Sequence, residues 1–261
     1  VSLTTIENRV RCELVLPKDD DGYQYQFLND DAWSVTESTL TARDGDYFLH
    51  LGFRKPNPFD EPESPAEDRT VLGVDLGIEH LAVTSTAHFE SGKKLVHDHE
   101  HFEHVRGGLQ QTGTQSAHRT LVGRDNREER YSRDKLHRVS NAIVVEAVEH
   151  ECSHIVFEDL SYIRDRLSNA KKFHRWAHRK LISFVTYKAE ALGIRIEFVD
   201  AAYTSQRCSE CGHTSRGNRP EQSHFECTKC GKTLHADYNA AKNIGWRFVR
   251  RGLNDSRRTG N

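Results

Sequence analysis

Apolar and polar positions alternate in short runs through residues 1–55, at 11–16, 23–28 and 47–53. Asp19-Asp20-Asp21-Gly22 and Asp44-Gly45 fall between the runs as turns, and a period of two with such punctuation predicts a small antiparallel β region. Residues 56–70 hold Pro56, Pro58, Pro62 and Pro65 among acidic side chains, four of the six prolines of the chain, and read as a linker. The pattern then changes. Val71-Leu72-Gly73-Val74-Asp75-Leu76 is a short apolar run of the kind that forms a buried strand. Residues 80–86 and 93–98 read as a second and third strand, with turns at Gly77 and Gly92. Residues 101–123 are polar, with Gly107-Gly108 and Gly113, and are expected to be irregular. Over 124–151 the apolar positions Leu136, Val139, Ile143, Val144 and Ala147 follow helical spacing. A buried strand at 155–157, a helix over 173–192 stopped by Gly193, a strand at 194–199 and a last helix over 237–251 complete the pattern. The order β-β-β-α-β-α-β-α predicts a mixed α/β layer fold.

Composition adds compartment and charge. The chain has 261 residues, 36% hydrophobic and 29% charged, enough to bury an ordinary core. No apolar run approaches the ~20 residues that cross a bilayer, and the first residues lack a basic-then-apolar leader pattern, so a cytoplasmic protein without membrane contact is expected. Net charge is −2, but it is unevenly spread. Residues 1–70 carry 7 basic and 15 acidic side chains, whereas residues 193–261 carry 12 basic and 7 acidic. The basic part is suited to tracking phosphates.

The cysteines supply the most specific chemistry. Cys208-Ser-Glu-Cys211-Gly212 and Cys227-Thr-Lys-Cys230-Gly231 are near copies, with fifteen residues between the inner cysteines. Each C-x-x-C turn lets two thiolates face one ion, and the following glycine permits the tight backbone. Two such knuckles predict one zinc ion in a closed tetrahedral S₄ site. A filled shell leaves no position for substrate, so this metal is expected to be structural.

Three acids stand where acids are locally unexpected. Asp75 interrupts an apolar strand, Glu158 ends the run 155–157, and Asp237 lies at the start of the last helix. A buried carboxylate costs free energy unless it is paired or metal-bound. Taken singly, Asp237 reads equally well as a helix cap and Glu158 or Asp159 as a strand-end ion pair. Taken together, clustered carboxylates suit Mg²⁺, which takes oxygen ligands and can serve phosphodiester cleavage.

The segments 71–77, 155–160, Tyr187-Lys188-Ala189-Glu190, 203–208 and 237–244 together resemble the TnpB (OrfB) transposon-encoded family, over about residues 20–250. The resemblance implies an RNase H-like (RuvC) mixed sheet with flanking helices, interrupted by a zinc ribbon. Residues 1–55 then correspond to part of a β-rich wedge-like domain, 71–204 and 233–251 to the nuclease core, 205–232 to the ribbon and 252–261 to a tail. It also implies that Asp75, Glu158 and Asp237 form a Mg²⁺-binding catalytic triad, that DNA is cleaved under the direction of a guide RNA, and that the chain is related to type V CRISPR effector nucleases. Two departures stand out. His235 replaces the acid that usually lies two residues before the third carboxylate, and the chain begins inside the wedge-like region, without the helical module expected upstream. Weakened guide and target binding is the expectation for such a start.

A basic series supports nucleic acid independently. Arg124, Arg127, Arg130, Arg133 and Arg138 recur at nearly helical spacing, and Lys171, Lys172 and Arg175 follow with Phe173 and Trp176 among them. Arginines grip phosphates and aromatic rings stack on bases. The competing account pairs these arginines with Asp125, Glu128, Glu129 and Asp134 on a solvated helix. Among functions, a DNA endonuclease competes with a non-catalytic regulator of transposition. The strand-borne Asp75-Leu76-Gly77 also occurs in sugar kinase and actin-like ATPases, but neither a duplicated domain nor a glycine-rich phosphate loop accompanies it here.

Overall fold

The computed structural model describes residues 1–4, 6–16, 24–56, 69–159 and 169–259, with side chains at 124–126, 169–172 and 253–259 outside that description. Most of the expected proline linker therefore lies outside the described residues. The chain divides into two compact units, Val1–Asp60 and Glu61–Asn261. No helix among the described residues is long and apolar enough to cross a membrane.

In the first unit β1 (Ser2–Thr4) pairs antiparallel with β2 (Arg9–Arg11). A single turn of helix, α1 (Tyr25–Leu28), precedes the hairpin of β3 (Ser34–Arg43) and β4 (Asp46–Arg54). The expected Asp-Gly turn closes it, with Asp44 and Gly45 both in the left-handed region at φ +53° and +90°. That pair of angles matches the twist of the flanking strands. The run 23–28, expected as a strand, is instead helical where it is described. Phe27 reaches Trp33 and Phe53 at ring separations of 5.2 and 5.5 Å, and this packing overrides a short alternation.

The second unit is built on a five-stranded sheet in the order β7-β6-β5-β8-β9. Its strands are β5 (Val71–Asp75), β6 (His80–Thr84), β7 (Phe89–Ser91), β8 (His154–Asp159) and β9 (Arg195–Asp200). The first three form an antiparallel meander, while β8 and β9 continue parallel from β5. Between β7 and β8 run two helices, α2 (Lys93–Thr112) and α3 (Gln115–Glu149). Next come α4 (Asn169–Glu190) before β9, the short hairpin of β10 (His224–Glu226) and β11 (Thr233–His235), and α5 (Ala236–Thr259).

Two sequence expectations are corrected. Residues 93–98 open α2 rather than form a strand, and the third strand is the shorter β7. Residues 101–123 are helical almost throughout, broken at Gly113 in left-handed geometry and restarted by Thr114, whose side chain accepts the Ala117 amide at 3.2 Å. Polar contacts between α2 and α3, including Tyr131 to Asp98 and Arg106 to Glu128 at 2.7 Å, hold helices whose composition alone is a weak signal.

The sheet is covered on both faces, which is why β5 and β8 read as continuous apolar runs. Leu72, Val74, Ile155 and Phe157 pack with α3 and α4 on one face. Val71, Val156 and Val199 pack with Ile244 and Phe248 of α5 on the other. Gly73 also faces α5, so closely that a Cβ there would lie 2.1 Å from the Ala241 carbonyl oxygen.

Candidate active site and metal centre

Strand parity decides which way the acids point. Alternate residues face opposite sides of a sheet. Asp75 shares the parity of Val71 and Gly73, and Glu158 that of Val156, so both project toward the α5 face. Pairing of Val74 with Phe157 sets the two acids side by side at the same end of parallel strands. Gly73 faces Ala241 and Gly245, while Gly245 faces Val71, so α5 runs back along β5. Its first turn, carrying Asp237, thereby reaches the level of Asp75.

Electrostatics agree with that placement. Burial pushes the Asp75 carboxyl up to about 8, the nearby Glu158 and Asp237 push the same way, and Arg219 partly opposes them. Burial also raises Glu158, against the hydroxyl of buried Thr204, which donates to Glu158 Oε1, and against the charge of Arg247. Asp237 meets His80 Nδ1 at 3.1 Å through Oδ2 and Arg219 at 3.4 Å through Oδ1. A pocket of acids that resists full ionisation in the bare protein has the chemistry of a hard-cation site. The oxygens of Asp75, Glu158 and Asp237 are not among the described clusters whose ligand atoms all lie within 4.8 Å of one another. Glu158 is drawn toward Thr204 instead.

The four cysteines do form such a cluster. Cys208 and Cys230 sulfurs are 3.8 Å apart, and those of Cys211 and Cys227 are 3.6 Å apart. Tetrahedral Zn–S bonds of ~2.3 Å imply sulfur separations near 3.8 Å, so the spacing fits a four-thiolate shell. The knuckles are built alike. In each, the first cysteine amide donates to a carbonyl five residues on, and the glycine after the second cysteine donates back to the first, at 2.9 Å throughout. Those glycines, Gly212 and Gly231, sit at φ +75° and +70°, where a side chain would be strained.

Asn239 and Asn243 of α5, both buried, clamp the entry to this segment. Asn239 accepts the Ser209 amide at 3.0 Å and donates to the Arg207 carbonyl at 2.8 Å. Asn243 donates to the Thr204 and Arg207 carbonyls at 2.9 and 2.6 Å.

The basic series is only partly where the sequence placed it. Arg127, Arg130, Arg133 and Arg138 lie exposed along α3, on the layer opposite α5. Arg133 and Arg138 make in-helix pairs with Glu129 and Asp134 at 3.9 and 3.1 Å, as the solvated-helix account expects. Arg175 is half-buried on α4, and the side chains of Arg124, Lys171 and Lys172 lie outside the described residues. Sequence reasoning missed a second basic surface. Arg207, Trp246, Arg247 and Arg250 line an open cavity of about 490 Å³ that also touches Thr204, the partner of Glu158. The spacing of Trp246, Arg247, Arg250 and Arg251 on the last helix was its available signal. Thr204 lay within the segment 203–208 that carried the family resemblance, without a role assigned to it; for Arg219 and His80 there was no signal.

Comparison with known proteins follows the same lines. The family model of the Cas12f1-like TNB domain matches residues 178–244. The chain is 35% identical over 205 residues to the CRISPR-associated endodeoxyribonuclease Cas12f1 of Sulfoacidibacillus thermotolerans, covering 70% of this chain and 47% of that protein. It is 30% identical over 204 residues to a TnpB-like protein of Methanocaldococcus jannaschii, covering 72% of each. A cryo-EM structure of a Cas12f1-sgRNA-target DNA complex superposes with a TM-score of 0.55 at 19% identity, over 79% of this chain and 55% of that one, and shares the RuvC-type fold. The chain spans about half the length of the Cas12f1 relatives it matches. With α5 bringing Asp237 to the strand ends of Asp75 and Glu158, and with the cysteine knuckles inserted just before it, the chain belongs to the TnpB-like family related to type V effectors.

Proposed function

We propose that this protein is a metal-dependent, RNA-guided DNA endonuclease of the TnpB type, with DNA and a guide RNA as partners. Asp75, Glu158 and Asp237 hold catalytic Mg²⁺, and Cys208, Cys211, Cys227 and Cys230 hold one structural Zn²⁺. In this reading residues 71–204 and 233–251 make the nuclease core and 205–232 the ribbon inserted into it. The observation that carries it is the convergence of three acids at one end and one face of the sheet, where burial and mutual repulsion push Asp75 up to about 8. Acids arranged at that cost suit a site completed by a cation.

Asp75, Glu158 and Asp237 would hold Mg²⁺, which when bound would supply activation of water and stabilisation of the leaving oxygen in phosphodiester cleavage. The chain's own contribution is placement. Thr204 fixes Glu158 by donating to it, and His80 and Arg219 fix Asp237 from its two oxygens. Arg207, Arg247 and Arg250 beside Thr204 offer guanidinium groups to the strand approaching Glu158, and Trp246 offers a stacking surface. Exposed Arg127 and Arg130 on the opposite layer are placed for phosphates of a more distant segment.

The test starts from the nucleic acid that co-purifies with the protein. Sequencing it should return a defined small RNA, and DNA matching that RNA should be cut when Mg²⁺ is added. Asp75→Ala, Glu158→Ala and Asp237→Ala should each abolish cleavage and leave binding largely intact. Cleavage at the wild-type rate by Glu158→Ala would remove the triad and make Asp159 the candidate. Binding without any cleavage by the wild type would favour a regulator of transposition.

A further inference from the structure

A second kind of metal site lies against the acid cluster. His80 opens β6, His235 closes β11, and Asp237 lies in the first turn of α5, so three elements meet at one point. One ligand atom from each of the three residues lies within 4.8 Å of the others. His80 Nδ1 is 3.1 Å from Asp237 Oδ2, and His235 Nδ1 is 4.0 Å from the same oxygen. All three side chains are mostly buried, at 21%, 30% and 17% exposure. Phe89 walls the site, its ring 5.3 Å from His80 and 5.1 Å from His235.

Bonds of ~2.0–2.2 Å to nitrogen and oxygen place neighbouring ligand atoms about 3 to 3.5 Å apart. The His80 distance of 3.1 Å falls within that range, and the His235 distance of 4.0 Å lies beyond it by a shift that a side-chain rotation can close. His235 Nδ1 accepts the Asp237 amide at 3.3 Å, which keeps this nitrogen unprotonated and turned toward Asp237; a cation bound there would replace that long hydrogen bond. Arg219 does not block the site, because it takes Oδ1 while the histidines face Oδ2.

Ligand chemistry selects the ion. Mg²⁺ prefers oxygen and is a poor match for two imidazoles, whereas Co²⁺, Ni²⁺ and Zn²⁺ accept them readily. The geometry points to a late first-row divalent cation site formed by His80, His235 and Asp237, distinct from the cysteine shell. Asp237 belongs to both this site and the acid cluster. An ion held by the histidines therefore withdraws one carboxylate from Mg²⁺, and the protein carries a site at which late metals antagonise its hard-metal chemistry. The antagonism rests on the nuclease reading; the site itself does not.

The experiment reads bound metal rather than cleavage, so failure of either idea is separately visible. The 261-residue chain loaded with zinc at its cysteines is dialysed against Co²⁺ in chelator-free buffer, and bound cobalt and zinc are measured by elemental analysis. Co²⁺ binds more weakly than Zn²⁺ to a given site, so the ribbon should keep its zinc. The expected result is about one cobalt per chain in addition to that zinc, without the intense thiolate-to-cobalt absorption of a cysteine site. His80→Asn and His235→Asn should each weaken cobalt binding by at least ~10-fold while retaining ribbon zinc and a single cooperative melting transition. The proposal is overturned if the wild type takes up no extra cobalt, if uptake comes with thiolate absorption and loss of zinc, or if both histidine variants bind cobalt as tightly as the wild type.

Discussion

Asp75→Asn should make the magnesium-free protein more stable, although it removes the acid at the centre of the proposed site. The Asp75 carboxyl is raised from 3.8 to about 8 by burial first and by Glu158 and Asp237 second. A folded state that binds its proton more tightly than the unfolded chain is favoured at low pH. Between pH ~4 and ~8 the folded protein keeps a proton that the unfolded chain has lost, so stability falls by about 1.4 kcal/mol per pH unit from this group alone. At pH 7 the accumulated loss has an upper bound of roughly 4 kcal/mol, and water entering an acid-lined cluster reduces it to an expected ~2 kcal/mol. Asparagine keeps the shape and carries no such cost. Urea unfolding at pH 5, 6, 7 and 8 in metal-stripped buffer measures the slope. Chelators are omitted because they would also strip a zinc ion held by the four cysteines. The wild type should lose stability across the series relative to Asp75→Asn, and millimolar Mg²⁺ should restore it only in the wild type. Parallel pH profiles for the two proteins, with no gain in the variant, would refute the view that Asp75 is a buried, repelled acid.

Other expectations test neighbouring parts of the same design. Thr204→Val removes the hydroxyl that holds Glu158 down, so Glu158 rises further and the ascending limb of the cleavage-versus-pH profile should move to higher pH. Gly73→Ala should destabilise by more than ~3 kcal/mol, or prevent folding, because its Cβ meets backbone of α5 rather than a flexible side chain; thermal melting reads this. Asn243→Ala strands two carbonyl partners and should cost about 1–3 kcal/mol in denaturant unfolding. Cys208→Ser should lose about one zinc per chain by elemental analysis and expose residues 205–232 to limited proteolysis.

How far the sequence spoke depended on how local each signal was. The cysteine knuckles were legible because spacing and glycines within a few residues determine their geometry. Asp75 was legible because an acid inside Val71–Asp75 contradicts its surroundings. Residues 93–98 do not form the expected strand because Lys93, Lys94, Leu95 and Val96 carry no period, and what holds them helical is packing on the next helix, α3, including Tyr131 to Asp98. Leu95, His99, Phe102 and Arg106 do stand at helical spacing, a cue that Gly107-Gly108 obscured. A Cβ at either glycine would meet nothing within 4 Å, so no packing contact explains them. The basic arginines were found by their period, but period cannot say which face of the sheet a helix covers.

That last distinction shapes the mechanism. The acids and the cysteine segment belong to the α5 layer, whereas Arg127 through Arg138 belong to the layer behind the sheet. Under the proposed function, nucleic acid reaching Glu158 would meet Arg207, Arg247 and Arg250 before it met α3. Those arginines stand on α5 and on the loop that Asn239 and Asn243 clamp, which is also the loop that delivers Thr204 to Glu158. From beyond the first knuckle Arg219 returns to Asp237. The cysteine segment thus touches the acid cluster at two points, through Thr204 at its entry and Arg219 within it. In the proposed zinc-bound protein, the ion that holds the knuckles would also help hold Thr204 and Arg219, and through them Glu158 and Asp237, without taking part in the chemistry.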